Sequence, residues 1–267
     1  MANERQIRKL PGRVVAVVAA SLVALVVVSS TASAGLQPPG SSTSPTPAAT
    51  PAATPAATPA AAAAPAAAPA VTTRVNSVPF YPQAYPLSCE EAALRMALMT
   101  EGIQVTDGQL LSMIGVDLTP ATSGASGLRW GDPYTSFVGD PNGSEVNLTG
   151  YGTYYPTIAR VAASLGGHVL RAGEGISAND VYAAVLAGHP VVAWVAYQWV
   201  VPQRSDYVAY DGRTVPYAGP VEHAVTVVGV SPTEVYVNNP DAGPEVVSRS
   251  VFEAAYATYN QMAVVLG

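Results

Sequence analysis

After Gln37 and through Ala70 the chain is built only from Pro, Ala, Thr, Ser and Gly, with a short Pro-Ala-Ala-Thr period around Pro51 and Pro55. Such a stretch has no apolar side chain large enough to build a core, and proline at this density holds the backbone near polyproline II. At about 3.1 Å per residue it is a semi-rigid spacer that reaches ~100 Å when fully extended. The fold must therefore come from one side of it. Before it lies a basic stretch (Arg5, Arg8, Lys9, Arg13), then an apolar run from Val14 to Val28, then Ala32-Ser33-Ala34-Gly35. That is the anatomy of a secretory signal, with cleavage predicted after Ala34. The apolar run is shorter than the ~20 residues of a spanning helix, which disfavours the rival reading, an uncleaved amino-terminal anchor. The expected organisation is a signal peptide over 1–34, a disordered linker over 35–71, and one domain over 72–267, large enough for a core of its own.

Charge narrows the partners. Four of the twelve basic residues and a single acid, Glu4, precede the linker, and residues 35–71 carry no charge. The domain therefore holds eight basic and seventeen acidic residues, net −9, with no lysine after Lys9. This excludes an electrostatic nucleic-acid binder and leaves no polybasic patch for acidic lipid, so any membrane association rests on the amino-terminal segment. One cysteine excludes an intrachain disulfide, and a lone thiol in an exported domain is either reactive or hidden.

Periodicity predicts helices over Cys89–Thr100, Thr106–Ile114, Tyr155–Leu165, Ser177–Ala187 and Arg249–Tyr259. It predicts strands over Gly167–Arg171, Pro190–Tyr197, Ala224–Val230, Glu234–Asn238 and Met262–Leu266. Residues 123–152, rich in Gly, Asp, Asn and Pro, read as a long loop. Helices first and strands last point to an α+β fold.

Cys89 is the first residue of the helix that Ser88 is expected to cap, with Glu91 completing a capping box. Free amide N–H groups and the positive end of the helix dipole meet there, which favours the thiolate. Glu90 and Glu91 act the other way, so a cationic histidine beside the sulfur is needed to offset them. Of the three histidines, His168 and His189 sit in Gly-Gly-His and Gly-His-Pro turns, whereas His223 opens an apolar strand and is the one placed to face a cleft. One strand later, in Asn238-Asn239-Pro240-Asp241, either Asn239 or Asp241 can meet the His223 ring and fix its tautomer. Gln83, six residues before Cys89, can donate to an oxyanion together with the Cys89 amide. Trp130 and Tyr134 in the long loop, and Trp194, Tyr197 and Trp199 at a strand end, are candidate substrate contacts. No H-E-x-x-H or C-x-x-C pattern occurs, so neither a metal nor another cofactor is expected.

Gln83, Cys89 at a helix start, a distant His223 on a strand and Asn239 before proline resemble the papain-like cysteine peptidases. Val78-Pro79-Phe80-Tyr81-Pro82-Gln83 through Leu94, His223 through Gly229, Asn239-Pro240 and the glycine-rich centre around Trp130 and Gly150-Tyr151-Gly152 more closely resemble the exported bacterial relatives of the double-glycine (bacteriocin-leader) peptidases. The resemblance implies a helical amino-terminal lobe packed on an antiparallel sheet. It also implies Cys89 as nucleophile, His223 as base, Asn239 as orienting residue and Gln83 as oxyanion donor, acting on a peptide or protein, cell-wall peptide included. Two positions depart from the pattern: many relatives have Gly where this chain has Glu90, and most have Asp where it has Asn239. Acyl transfer or peptidoglycan-amide cleavage by the same residues, and a non-catalytic stalk-borne binding module, are the alternatives.

Overall fold

A computed structural model describes residues 73–267. The expected signal peptide over 1–34 and linker over 35–71 lie outside the described residues. The first half of the domain runs β1 (Arg74–Val75), α1 (Cys89–Met99), α2 (Asp107–Ile114), β2 (Val116–Asp117), β3 (Thr122–Gly124), β4 (Gly127–Trp130), β5 (Phe137–Val138), α3 (Tyr155–Ser164), β6 (Val169–Gly173) and α4 (Ala178–Ala187). The second half is β7 (Val191–Ala196), a 3-10 turn (Tyr197–Trp199), β8 (Ser205–Ala209), β9 (Thr214–Tyr217), β10 (Glu222–Val230), β11 (Glu234–Asn239), β12 (Gly243–Ser248), α5 (Arg249–Ala257) and β13 (Ala263–Leu266).

The main sheet is antiparallel, in the order β12-β11-β10-β7-β13-β6, with β1 paired to the far end of β10. Its central strands are apolar throughout because both faces are covered. Alternate side chains separate the two cores. Val192, Trp194, Ala224, Val264 and Leu266 pack with Ala93, Leu94, Ala97, Leu98 and Ile158 on the α1–α3 side. Val191, Ala193, Val195, Val225, Val227 and Val265 pack with Val181, Val185, Phe252 and Tyr256 of α4 and α5 on the other. The sheet is thus sandwiched, which extends the expected single helical lobe. The α+β class holds, with an antiparallel main sheet, although helices and strands alternate from α3 to β7 and α5 lies between β12 and β13.

Local chemistry sets the helix starts. Thr106 accepts the Gln109 amide and Gln109 Oε1 accepts the Thr106 amide, a capping box at α2. Ser177 and Asp180 do the same at α4, and Gly188 closes that helix in the left-handed region at φ 110°. The box expected at α1 does not form. Ser88 turns its hydroxyl to Asp107 Oδ2, 3.1 Å away, and Glu91 is drawn into the interior with both carboxyl oxygens unpartnered.

The region 123–152, expected as loop, contributes β4 and β5, and β4 joins β3, β8 and β9 in a small four-stranded sheet. These strands have two to five residues, too short for periodicity to register. The edge strand β12 begins Gly243-Pro244, which masks it in the sequence although an edge tolerates proline.

Trp194 is fully buried, and its indole N–H donates to the Thr153 carbonyl at 2.9 Å. Replacing it with alanine should cost about 3–5 kcal/mol of unfolding free energy by urea titration. A loss below about 1 kcal/mol would contradict its place in the core.

Candidate active site

α1 crosses the sheet so that its amino terminus lies at the start of β10, tied there by the Thr226 hydroxyl, which donates to the Ala93 carbonyl at 2.9 Å. Cys89 and His223 consequently line one cavity of about 270 Å³, together with Gln83, Glu145, Glu222 and Asp241.

His223 is held through one nitrogen. Its Nε2 lies 2.8 Å from Asn239 Oδ1. The same oxygen accepts the Asp241 amide at 3.0 Å, while Asn239 Nδ2 donates to Glu245 Oε2 at 3.0 Å. These partners fix the orientation of the Asn239 amide, so Nε2 carries the imidazole hydrogen and Nδ1 is the basic atom of the ring. Asn239, not Asp241, therefore meets the ring. Asp241 instead accepts the Tyr197 hydroxyl at 2.6 Å, and the Tyr197 ring stands edge-on to the imidazole at 5.2 Å. Burial lowers the His223 pKa, partly offset by the Asn239 bond, which leaves the ring neutral near pH 7.

The sulfur sits among acids. The Cys89 thiol donates to Glu90 Oε2 at 3.3 Å, with Glu222 Oε2 at 4.0 Å. Burial first, then the charges of Glu90 and Glu222, push the thiol well above its ordinary range. The helix start alone predicts the opposite. Desolvation wins because Cys89 is only 5% exposed and no Lys or Arg lines the cavity.

Two glutamates, Glu90 and Glu222, flank the sulfur, and two more lie nearby: Glu91 on the same helix and Glu145 on the cavity wall. Burial raises Glu90 to about 7 and Glu145 to about 8, and holds Glu91 and Glu222 well above the usual carboxylate range. The backbone is fitted around them. Glu90 Oε1 accepts the Thr153 amide, and a Cβ at Gly152 would lie 2.2 Å from that oxygen, so only glycine allows the approach. Glu145 Oε2 accepts the Glu222 amide at 3.1 Å. The Cys89 sulfur and one oxygen each of Glu90 and Glu222 lie within 4.8 Å of one another, a spacing that would hold a cation if the thiol ionised.

Gln83 lines the cavity, but its Nε2 donates to the carbonyls of Tyr85 (3.0 Å) and Pro86 (2.8 Å), and its Oε1 is buried without a partner. Its amide must release one carbonyl before it can donate to an oxyanion. The aromatic expectations need correction. Trp130 and Trp194 are core residues, and Trp199 donates to Glu245 beside Phe252. Tyr134 lies on a separate cleft, its hydroxyl bonded to Glu174 and its ring under Arg213. The Trp130 and Trp194 rings turn into the core, where their large apolar area is buried. Of the predicted aromatics only Tyr197 reaches the cavity. Glu145 and Glu222 escaped the sequence reading, although Glu222 immediately precedes His223.

The model of the Peptidase C39-like family matches residues 75–264. A crystal structure from Bacillus anthracis, described as a presumed C39-like peptidase, superposes with a TM-score of 0.62 at 24% identity, covering 73% of this chain and 98% of that one. No curated protein matches the sequence.

A carboxyl with a raised folded pKa binds more protons in the native state, so its stabilisation is complete below about pH 4.5 and is lost as pH rises through the folded value. For Glu90 and Glu145 that window runs from about 4.5 to 7 and 8. The melting temperature of Glu145→Gln should therefore fall less between pH 5.5 and 9 than that of the wild type. Parallel profiles by calorimetry would show that Glu145 ionises freely.

Proposed function

This chain belongs to the Peptidase C39-like family of papain-like cysteine peptidases, and from that premise we propose an exported thiol hydrolase that cleaves a peptide amide. The observation that carries the reading is the 2.8 Å bond from His223 Nε2 to Asn239 Oδ1, made by a ring that lines the same cavity as Cys89. It leaves His223 Nδ1 as the free base.

At rest the pair is neutral, a thiol and an imidazole. His223 Nδ1 takes the Cys89 proton, and the thiolate attacks the carbonyl carbon. The resulting oxyanion is met by the Cys89 amide at the helix start, and by Gln83 once its Nε2 lets go of the Tyr85 or Pro86 carbonyl. The imidazolium then protonates the departing amine, which leaves a thioester. His223 next deprotonates water, the hydroxide attacks the thioester, and the carboxylate and thiol are released. Asn239 stabilises imidazolium less than a carboxylate would, but Asp241 and Glu245 both act to raise the His223 pKa. Export rests on the leader and linker: the uncharged stalk would carry the domain away from its point of attachment, at the cell surface or in the wall.

A non-catalytic binding module is favoured by one observation, the buried, protonated Cys89. Kinetics separate the two. Iodoacetamide should alkylate Cys89 slowly at pH 7 and progressively faster to beyond pH 9. Glu90→Gln, which removes a neighbouring charge, should speed labelling at pH 8 by about tenfold for each unit by which the thiol pKa falls. In a mixed peptide library read by mass spectrometry, Cys89→Ala should abolish cleavage, and His223→Ala should lower kcat/KM by about 10²–10⁴. Cleavage that survives Cys89→Ala would remove Cys89 as the nucleophile, and no cleavage across the pH range would leave the binding module standing.

A further inference from the structure

Two residues that line the cavity beside Cys89 carry buried oxygen atoms with no hydrogen-bond partner. Glu222 is 3% exposed; it lines the cavity with Oε2 toward the sulfur, and Oε1 has no partner. Gln83 Oε1 on the same wall is likewise buried and unpartnered. Glu145 and Asp241 add two carboxyl groups, and no Lys or Arg lines the space. Among the described residues the ion pairs engage Glu101, Asp107, Asp132, Asp180 and Asp206, and none reaches Glu90, Glu91, Glu145 or Glu222. An unpaired buried acceptor is costly, and several carboxyl groups so close cannot all ionise without a counter-charge.

Resting on the thiol hydrolase reading, we infer that this cavity selects a substrate carrying an ammonium or guanidinium group beside the scissile amide, with Glu222 and Glu145 as its counter-charges. Ammonium brings three N–H donors and guanidinium five, and neither brings an acceptor, which complements the walls. An anionic group would further oppose ionisation of Glu222 and Glu145 and face Asp241, and a neutral apolar one would leave Glu222 Oε1 and Gln83 Oε1 orphaned. The cation also assists the chemistry. Glu222 is one of the two charges that oppose the thiolate, and a bound cation neutralises it where the nucleophile forms. Substrate binding and Cys89 activation are thereby linked. The same acceptors lie near the sulfur in a spacing that a metal cation could occupy, but a metal there would block the nucleophile, whereas an organic cation on the Glu145 and Glu222 side leaves it free.

Two readouts test this, both with EDTA present. In the first, Cys89 of the whole chain is labelled with 2-aminoethyl, methyl and 2-sulfonatoethyl methanethiosulfonate, each rate normalised to that of glutathione. The cationic reagent should lead the neutral one by about tenfold or more and the anionic one should be slowest. Glu145→Gln and Glu222→Gln should each bring the ratio back toward one. In the second, peptides that differ only by Lys, norleucine or Glu at a residue flanking the cleaved bond should rank Lys first in kcat/KM. Cleavage without that ranking, together with glutathione-like labelling, would overturn the inference and leave the hydrolase reading intact. Charge-ordered labelling with no cleavage of any peptide would uphold the cation pocket and remove the hydrolase reading. Labelling without charge order, combined with protection of Cys89 from the methyl reagent by Zn²⁺ when EDTA is left out, would mark the acids as a metal site and overturn the inference.

Discussion

The packing of α1 across the first half of β10 is the constraint from which the rest of the site follows. β10 is buried over its whole length, so its register with β7 on one side and β11 on the other is set by interlocking apolar side chains. The bond from Thr226 to the Ala93 carbonyl then fixes the position of α1 along the strand. Given that register, Cys89 and His223 share a cavity, and the antiparallel partner β11 brings Asn239 to the ring. A one-residue slip of β11 would turn Asn239 to the other face.

The same packing creates the electrostatic character of the site. A helix start favours a thiolate only where its field is not outweighed, by roughly 0.3–1 kcal/mol at exposed positions. Here the helix amino terminus is enclosed, Glu90, Glu91 and Glu222 are enclosed with it, and Glu145 is partly buried on the cavity wall. Desolvation penalises every anion in the group, the thiolate included. The resting state is therefore a protonated thiol beside carboxyl groups whose ionisation burial holds back, with a neutral imidazole held ready by Asn239. Such a site is quiet until something compensates its acceptors.

The pattern of helices and strands was legible wherever an element was long enough to bury one face. Periodicity located the starts of the helices at Thr106 and Ser177 within a residue. Ser88 carried a capping-box signal and did not form the cap, because Asp107 on a second helix offered its hydroxyl a buried carboxylate. No local pattern can reveal a competitor 19 residues away. The short strand β4 escaped for a related reason: one of its partners, β8, lies about 80 residues along the chain, at Val208 and Ala209 against Arg129 and Trp130. Trp130, Tyr134 and Trp194 could be recognised as large aromatics, but whether each ring faced a core, a cleft or solvent depended on which sheet its strand joined.

By itself the sequence determined the α+β class, the helix that begins at Cys89, and the small set of residue types able to act with it, because these rest on periodicity and on chemistry carried by single side chains. It narrowed the orienting residue to Asn239 or Asp241 and flagged Glu90 as unusual. Only the tertiary structure chose Asn239, gathered Glu145 and Glu222 from 55 and 132 residues beyond Glu90 into one cavity, and made the thiol protonated rather than ionised. Those outcomes depend on distance and on exclusion of water, and both are properties of the packed chain.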